Sequence, residues 1–246
     1  MEIKNFLFKV PKSKIVNGRI DTVINMCKDK TVLHLGCVDE GLTINRIDTG
    51  ELLHLKIMKV AKATWGLDIS EEGLDTLRTL GIKNLIWGDV ENLESTQELK
   101  NKEFDIILAC EIIEHLNNPT LFLKSVKNLF SKNTLMILTT PNAFRFSQLK
   151  YSLKGCELVH PDHNYWFSWK TLSTLLIKNG YRIEETLVYS FAEWRLGSLK
   201  NNIREEKSCS FLKTIIGFLI RRYLYKKNPF FADGLIFVVR PQHLET

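Results

Sequence analysis

The sequence predicts an α/β fold in which a mostly parallel sheet carries helices on both faces. Short β-branched and leucine-rich runs alternate with segments of helical hydrophobic spacing between residues 31 and 140. The runs are apolar almost throughout, which is typical of strands buried on both faces. An acidic residue follows three successive runs, at Asp68, Asp89 and Glu111. Because the carboxyl ends of parallel strands meet at one edge of a sheet, where ligands bind, these carboxylates predict a ligand site there.

Local signals predict the elements of the first 140 residues. Ser70 suits a helix N-cap and Gly81 suits the end of the same helix, while Asn118 and Pro119 open a later one. The predicted elements are a helix at 13–27, a strand at 31–35, a polar loop over the ligand at 38–49, a helix at 51–62, a strand at 63–67, a helix at 71–80, a strand at 84–87, a marginal helix at 90–100, a strand at 104–110, a helix at 119–130 and a strand at 134–140.

The pattern changes after Pro141. Residues 142–163 have little periodicity and predict a long connection, and Ser168 caps a helix at 169–178. Strands are predicted at 181–191 and 234–240, paired antiparallel at the sheet edge because no crossover helix is evident between them. The predicted domains are an N-terminal helical segment at 1–30, a main domain at 31–194 and 228–246, and a basic amphipathic insertion at 195–227.

The composition suits one globular domain with a full core, or one domain with an appendage. Its 246 residues are 44% hydrophobic and carry a net charge of +6, yet the insertion holds nine Lys or Arg against two Glu. This local excess of positive charge predicts that one region contacts a membrane surface or another polyanion, or that it is a solvated basic helix. It does not favour a nucleic-acid-binding protein. Five cysteines without a CxxC spacing indicate no disulfide framework, so we expect a cytoplasmic protein. The N-terminus lacks a signal-peptide pattern, and the longest apolar run, 215–220, is shorter than the ~20 residues of a membrane span.

The stretch TVLHLGCVDEG, residues 31–41, resembles the end of a buried strand in a tight ligand loop. Gly36 permits backbone conformations and a close ligand approach that other residues do not. The loop is irregular, because Val38 and Glu40 stand where a glycine-rich nucleotide loop repeats glycine.

Taken together, five motifs resemble those of the class I methyltransferases that use S-adenosylmethionine. They are LHLGC (33–37), GLDIS (66–70), GDVENL (88–93), FDIILACEIIEHLNNP (104–119) and LTTPN (138–142). The resemblance implies a Rossmann-like, seven-stranded, mostly parallel sheet with an antiparallel last strand. It also implies a transferase with S-adenosylmethionine as its cofactor. An NAD-binding domain is disfavoured, because no complete GxGxxG is present.

The same resemblance assigns the cofactor-binding residues. Gly36 would face the methionine end, Asp68 would accept hydrogen bonds from the ribose hydroxyls, and Asp89 from the adenine amino group. His34 departs from the family, which has an acidic residue at this position. The full implied set is His34, Gly36, Cys37, Asp68, Ile69, Asp89, Val90 and Glu111.

A second group of residues, the ExxEH motif at 111–115 together with His163, predicts the catalytic groups. It resembles segments of small-RNA 2′-O-methyltransferases and ubiquinone-pathway O-methyltransferases, which place a divalent ion at the acceptor oxygen. That resemblance implies Mg²⁺ or another metal on Glu111, Glu114, His115 and His163. Without a metal, His115 or His163 would act as general base, with Glu114 beside them. A third interpretation is that Glu114 and His115 only cap a helix.

The acceptor is predicted from a finer resemblance, to methyltransferases of bacterial surface-polysaccharide gene clusters. It rests on the segments 33–41, 68–81, 140–144, 160–172 and 230–240. The implied acceptor is a hydroxyl of a sugar or glycan precursor, approached past the aromatic run 165–169. The alternatives are N- or C-methylation of a small metabolite, or a non-catalytic scaffold subunit of a glycan assembly complex. The insertion, especially 211–227, suggests peripheral contact with the inner face of the membrane, or a homodimer contact.

Overall fold

The computed structural model of the protein describes residues 6–39, 41–191 and 208–242. These residues form one eight-stranded sheet with helices on both faces. The strands are β1 Lys14–Asn17, β2 Thr31–Leu35, β3 Ala63–Asp68, β4 Leu85–Trp87, β5 Ile106–Cys110, β6 Leu135–Pro141, β7 Tyr181–Ser190 and β8 Gly234–Pro241. The helices are α1 Arg19–Cys27, α2 Thr43–Asp48, α3 Leu53–Met58, α4 Glu71–Thr79, α5 Pro119–Val126, α6 Phe146–Ser152, α7 Trp169–Lys178 and α8 Ser208–Lys227.

The strand order is β1-β7-β8-β6-β5-β2-β3-β4. β8 runs antiparallel to both of its neighbours, and the other pairs are parallel, so the predicted α/β class and antiparallel last strand are confirmed. The predicted count of seven strands is wrong. The extra strand is β1, which pairs parallel with β7 through Ile15 and Val188 and forms the edge of the sheet. The predicted edge pair β7 and β8 therefore lies inside the sheet.

Three segments differ from their predicted conformation. The helix predicted at 13–27 begins only at Arg19, because Gly18, at a φ of 76°, separates it from β1. The predicted loops at 38–49 and 142–163 contain the short helices α2 and α6, and the marginal helix at 90–100 consists of two 3₁₀ turns. The first part of the predicted insertion at 195–227 lies outside the described residues, and its second part forms α8.

Helix caps follow the sequence closely. The Ser70 hydroxyl accepts from Gly73 N, and Asn118 Oδ1 accepts from the first amides of α5. Ser168 and Thr171 form a reciprocal capping box at the start of α7. These side chains satisfy amides that have no partner inside the helix, so they determine where each helix begins.

The sheet separates two hydrophobic layers. Alternate residues of β2 point to opposite faces: Leu33 and Leu35 belong to the larger layer, and Val32 belongs to the smaller one. The larger layer includes buried residues of α5 and α7, and the smaller one includes residues of α1 and α3. Both faces of the central strands are buried, so the carboxyl ends of β2, β3 and β5 are positioned by packing from two sides.

The substitution Ser168→Ala tests the capping box. We expect it to lower the free energy of unfolding by about 1 kcal/mol, because the amide of Thr171 loses its acceptor. The measurement is urea denaturation followed by circular dichroism. Ser152→Ala, at the exposed end of α6, is the matched control and should change stability little. An equal loss in the two variants would contradict the assigned role of the cap.

Candidate active site

The loop after β2 is attached to β3 through its backbone. Gly36 has a φ of 69°, and its N–H donates to Leu67 O at 2.9 Å. The amide of Cys37 donates to the same carbonyl at 3.3 Å. A Cβ added at Gly36 would lie 2.5 Å from Cγ2 of Ile112, which follows β5. Both the positive φ and this close approach therefore require glycine here.

Val38, one of the residues that makes the loop irregular, packs against α4. Its side chain occupies the space that a Cβ of residue 73 would need, so this contact requires glycine at position 73 of α4. No glycine is required at position 38 itself. The amide of Val38 points the other way and donates to Asp68 Oδ2 at 2.8 Å. The bulk of Val38 is thus accommodated by α4. Glu40, the second irregular residue, lies outside the described residues.

The carboxylate of Asp68 joins the loop to the start of α4. Oδ2 accepts from Val38 N, and Oδ1 accepts from Ser70 N at 3.0 Å. Asp68 is 9% exposed at the end of β3, as the sequence predicts for a strand-end carboxylate. Backbone amides therefore fix the direction of this side chain.

The next strand end is more open to solvent. Ile69 is 61% exposed, and its carbonyl accepts from Trp87 Nε1 at 3.0 Å. Asp89 is exposed and accepts from Glu91 N through Oδ1, while Val90 is half-buried against the core. Trp87, itself 56% exposed, is not among the predicted site residues, although its position at the end of β4 marks it.

Glu111 lies at the centre of a buried polar cluster after β5. Its φ is 53°, an uncommon conformation for a residue with a side chain. Oε1 accepts from Thr139 Oγ1 at 2.8 Å and from Tyr189 OH at 3.1 Å, and lies 3.6 Å from a guanidinium nitrogen of Arg19. Sequence reasoning missed Arg19 and Tyr189, which come from α1 and β7.

Arg19 forms the described ion pair with Glu111 at the end of β5. Its side chain is 15% exposed, and its Nε is buried without a hydrogen-bond partner. Buried polar atoms in folded proteins almost always have a partner, so this guanidinium nitrogen is a donor that the acceptor group of a ligand can satisfy.

His34 and Cys37, two predicted cofactor residues, have buried side chains. Nδ1 of His34 lies 3.3 Å from Nδ1 of His54, and the two rings stack. Burial, and then the neighbouring His54, lowers the pKa of His34, so its ring is neutral at pH 7. The Cys37 thiol faces Gly66, where an added Cβ would lie 2.7 Å from its sulfur. The position of the family's acidic residue is thus uncharged in this chain.

Glu114 is 1% exposed and accepts from Thr140 Oγ1 at 2.9 Å through Oε2. Its other oxygen is buried without a partner. Burial, and then the proximity of Glu111, raises the pKa of this carboxyl well above its usual value. The backbone carbonyl of Glu114 also accepts from Asn164 N and Tyr165 N at 2.8 and 3.1 Å. These bonds hold the 160–165 segment against the site.

Three histidines meet at this point: His115, His163 and the unpredicted His160. One nitrogen of each lies within 4.8 Å of the others. Burial, and then His115 and His160, lowers the pKa of His163 to about 4, and its buried Nδ1 has no hydrogen-bond partner. Burial, and then His160, also lowers the pKa of His115. Both rings are therefore neutral at pH 7.

In the described part of the chain, the four predicted metal ligands do not come together as one group. His115 and His163 join His160, whereas the carboxylates of Glu111 and Glu114 bind Thr139 and Thr140 and belong to no metal-ligating group found there. The reason lies in β6, whose two threonine hydroxyls bind these carboxylates. Among the aromatic residues, Phe167 is in the core and Tyr165 is 39% exposed beside the histidines.

The raised pKa of Glu114 predicts a pH dependence of stability. Because the folded state holds this proton more tightly than the unfolded state, stability should fall as the pH rises from the ordinary glutamate value of ~4.5 towards the raised one. Glu114→Gln removes this titration, so its unfolding free energy should fall less than that of the wild type between about pH 5 and pH 8. Chemical denaturation across this range is the measurement. Exposed Glu51→Gln serves as control, and parallel wild-type and Glu114→Gln curves would refute the expectation.

The comparisons with known proteins agree with this geometry. A family model described as a methyltransferase domain matches residues 23–186. Ubiquinone biosynthesis O-methyltransferase from Pelagibacter ubique is 30% identical over 111 residues, which are 45% of each protein, so the match spans about half the length of that curated relative.

Two solved structures share the fold at low sequence identity. The small RNA methyltransferase HEN1 is 17% identical with a TM-score of 0.56, covering 91% of this chain and 25% of that one. A SAM-dependent methyltransferase from Archaeoglobus fulgidus is 18% identical with a TM-score of 0.53, covering 90% and 91%. The α/β fold is therefore that of S-adenosylmethionine-dependent methyltransferases. With the family model matching about two thirds of its length, the chain belongs to the methyltransferase domain family.

Proposed function

We propose that the protein transfers the methyl group of S-adenosylmethionine to a hydroxyl oxygen. The observation that carries this proposal is Asp68, whose carboxylate is oriented by two backbone amides at the end of β3, beside the glycine turn of β2. A carboxylate is charged and accepts through both oxygens, so in this proposal Asp68 accepts hydrogen bonds from the ribose hydroxyls of the cofactor.

The adenine end has its own residues in this proposal. Asp89 would accept from the adenine amino group, and the exposed side chains of Ile69 and Trp87, with Val90, would provide apolar surface for the ring. At the other end, Arg19 would hold the carboxylate of the methionine part, and Glu111 would accept from its ammonium group. The unpartnered Nε of Arg19 supports this assignment, because it is a buried donor without an acceptor. The residues present therefore fit the cofactor.

When bound, the cofactor supplies a methyl group made electrophilic by a positive sulfur, so the protein has to orient the acceptor, exclude water and remove a proton. His163 is neutral at pH 7 and accepts the proton from the acceptor hydroxyl. His115 lies beside it, with ring centroids 4.6 Å apart, and the exposed His160 passes the proton to solvent. Glu114 positions these rings through its backbone bonds to 164 and 165.

A metal is the second way to activate the hydroxyl. Three imidazole nitrogens suit Zn²⁺, Co²⁺ or Ni²⁺ better than Mg²⁺, which prefers oxygen ligands. The neutral state of His115 and His163 supports this role, because a protonated imidazole cannot bind a metal. The ligands in this version are His115, His160 and His163, and the carboxylates of Glu111 and Glu114 remain with Thr139 and Thr140.

For the acceptor, we propose a hydroxyl of a sugar or glycan precursor. The support is the resemblance of the 33–41 and 160–172 segments to methyltransferases of surface-polysaccharide clusters. Exposed aromatic surface at Tyr165, two residues after His163, offers an apolar wall for a sugar ring. The relative from Pelagibacter ubique favours a second candidate, a hydroxylated aromatic ring.

The first test concerns the cofactor. Asp68→Asn should weaken S-adenosylmethionine binding about a hundredfold in calorimetry, because charge-assisted hydrogen bonds to the ribose become weaker. Asp75→Asn, on the exposed face of α4, should bind like the wild type. Equal affinity of Asp68→Asn and wild type would refute the ribose assignment. A wild type that binds nothing at ~1 mM cofactor would favour the non-catalytic scaffold.

The second test concerns proton removal and metal. His163→Ala should lower kcat by a factor of about 10²–10⁴ while cofactor affinity stays unchanged, because the group acts on the acceptor. Transfer of labelled methyl to nucleotide sugars, and to a dihydroxybenzoic acid for the second candidate, is the measurement. Lys154→Ala, on the same connection, is the control.

Chelation separates the two ways of activating the hydroxyl. With proton transfer through the histidines, EDTA leaves turnover unchanged. With a metal, EDTA abolishes turnover and added Zn²⁺ or Co²⁺ restores it. A His163→Ala variant with wild-type kcat would contradict both mechanisms.

A further inference from the structure

The outward face of α8 carries a row of large apolar side chains. They are spaced three or four residues apart and therefore lie on one side of the helix. Their exposed fractions range from 43% to 61%. The row consists of Ile216, Leu219, Ile220 and Tyr223.

Packing within the chain does not explain this row. The opposite side of α8 holds the buried residues Phe218 and Tyr225, which are 5% and 3% exposed. Tyr225 OH is 3.1 Å from Ser190 Oγ at the end of β7, so the inner face of the helix is anchored to the sheet. The apolar row therefore lies on the side of α8 that faces away from the core. Contiguous exposed apolar surface of this kind is typical of interaction sites.

The N-terminal segment extends the same surface. Residues 10–13 and 226–229 line one groove, so this segment contacts the end of α8. The side chains just before it, Phe6, Leu7 and Phe8, are 57% to 73% exposed. Exposed apolar side chains are thus present both on α8 and just before the segment that lines the groove at its end.

The charge around these patches has one sign. Lys226 and Lys227 are exposed at the end of the apolar row, and Lys9, Lys12 and Lys14 are exposed along the N-terminal segment. Neither 6–18 nor 208–231 contains Asp or Glu. The charged side chains of the two segments themselves are all cations, so the apolar strip complements an anionic surface with an apolar interior, which is the chemistry of a lipid bilayer with acidic headgroups.

We propose that the outer face of α8 and residues 6–12 together dock on an anionic membrane surface. Leu219, Ile220 and Tyr223 enter the boundary between headgroups and acyl chains, and the lysines remain at the phosphates. None of the helices in the described ranges is long and apolar enough to cross a membrane. This inference does not depend on methyl transfer, because none of its residues belongs to the proposed cofactor or proton-handling groups.

Co-sedimentation of the full chain with phosphatidylcholine vesicles, with and without about 30 mol% phosphatidylglycerol, tests the proposal. We expect binding to the anionic vesicles that weakens at about 0.5 M salt. Lys226→Gln/Lys227→Gln and Leu219→Gln/Tyr223→Gln should each weaken binding at least about tenfold. Matched controls are Lys59→Gln/Lys62→Gln and Leu80→Gln, which alter exposed residues elsewhere and should bind normally.

Cofactor affinity, measured on every variant, shows that each one is folded and separates this proposal from the proposed activity. Absence of binding to anionic vesicles would overturn the proposal, as would equal binding to neutral ones. Dimerisation of the wild type that Leu219→Gln/Tyr223→Gln abolishes, without vesicle binding, would overturn it in favour of a contact between two copies.

Discussion

The arrangement of the site depends on the two hydrogen bonds that Asp68 accepts from the amides of Val38 and Ser70. One bond ties the loop after β2 to the end of β3, and the other sets the start of α4. Charge-assisted bonds to backbone amides are among the stronger ones in proteins, and this pair is largely shielded from water. Because Leu67 O also accepts from the amides of Gly36 and Cys37, three bonds hold the short loop against β3. Glycine repeats in the loop are then unnecessary, since Gly73 on α4 makes room for Val38.

The charged pair of the site lies at the end of β5 and not on β2. On β2 His34 is neutral and packed on His54, and at the neighbouring strand end Glu111 forms an ion pair with Arg19. A buried ion pair gains little stability unless its remaining groups are hydrogen-bonded. Thr139 and Tyr189 provide such bonds to Glu111, whereas Nε of Arg19 has none. Within this ion pair Arg19 Nε is the donor without a partner, and for this reason we propose that the methionine end of the cofactor binds there.

Local chemistry made much of the fold predictable, and contacts between distant segments made the rest unpredictable. Ser70, Asn118 and Ser168 act on amides two or three residues away, so their roles follow from sequence spacing. β1 escaped prediction because its four residues precede a helix and acquire their conformation by pairing with β7, more than 170 residues later. In the same way, the partners of Glu111 come from α1, β6 and β7. His160 was missed because only the fold brings it to His115.

The acceptor side and the proposed lipid surface are linked by Asn142. This fully buried side chain, just after β6, donates to the carbonyls of Phe230 and Ala232 at 2.6 and 2.9 Å. Its neighbour Ala143 donates to Phe167 O, in the segment that carries the histidines. The turn after α8 and the histidine segment are thus bonded to the same short stretch. Buried amide bonds of this kind are costly to break, so these two parts keep a fixed relation.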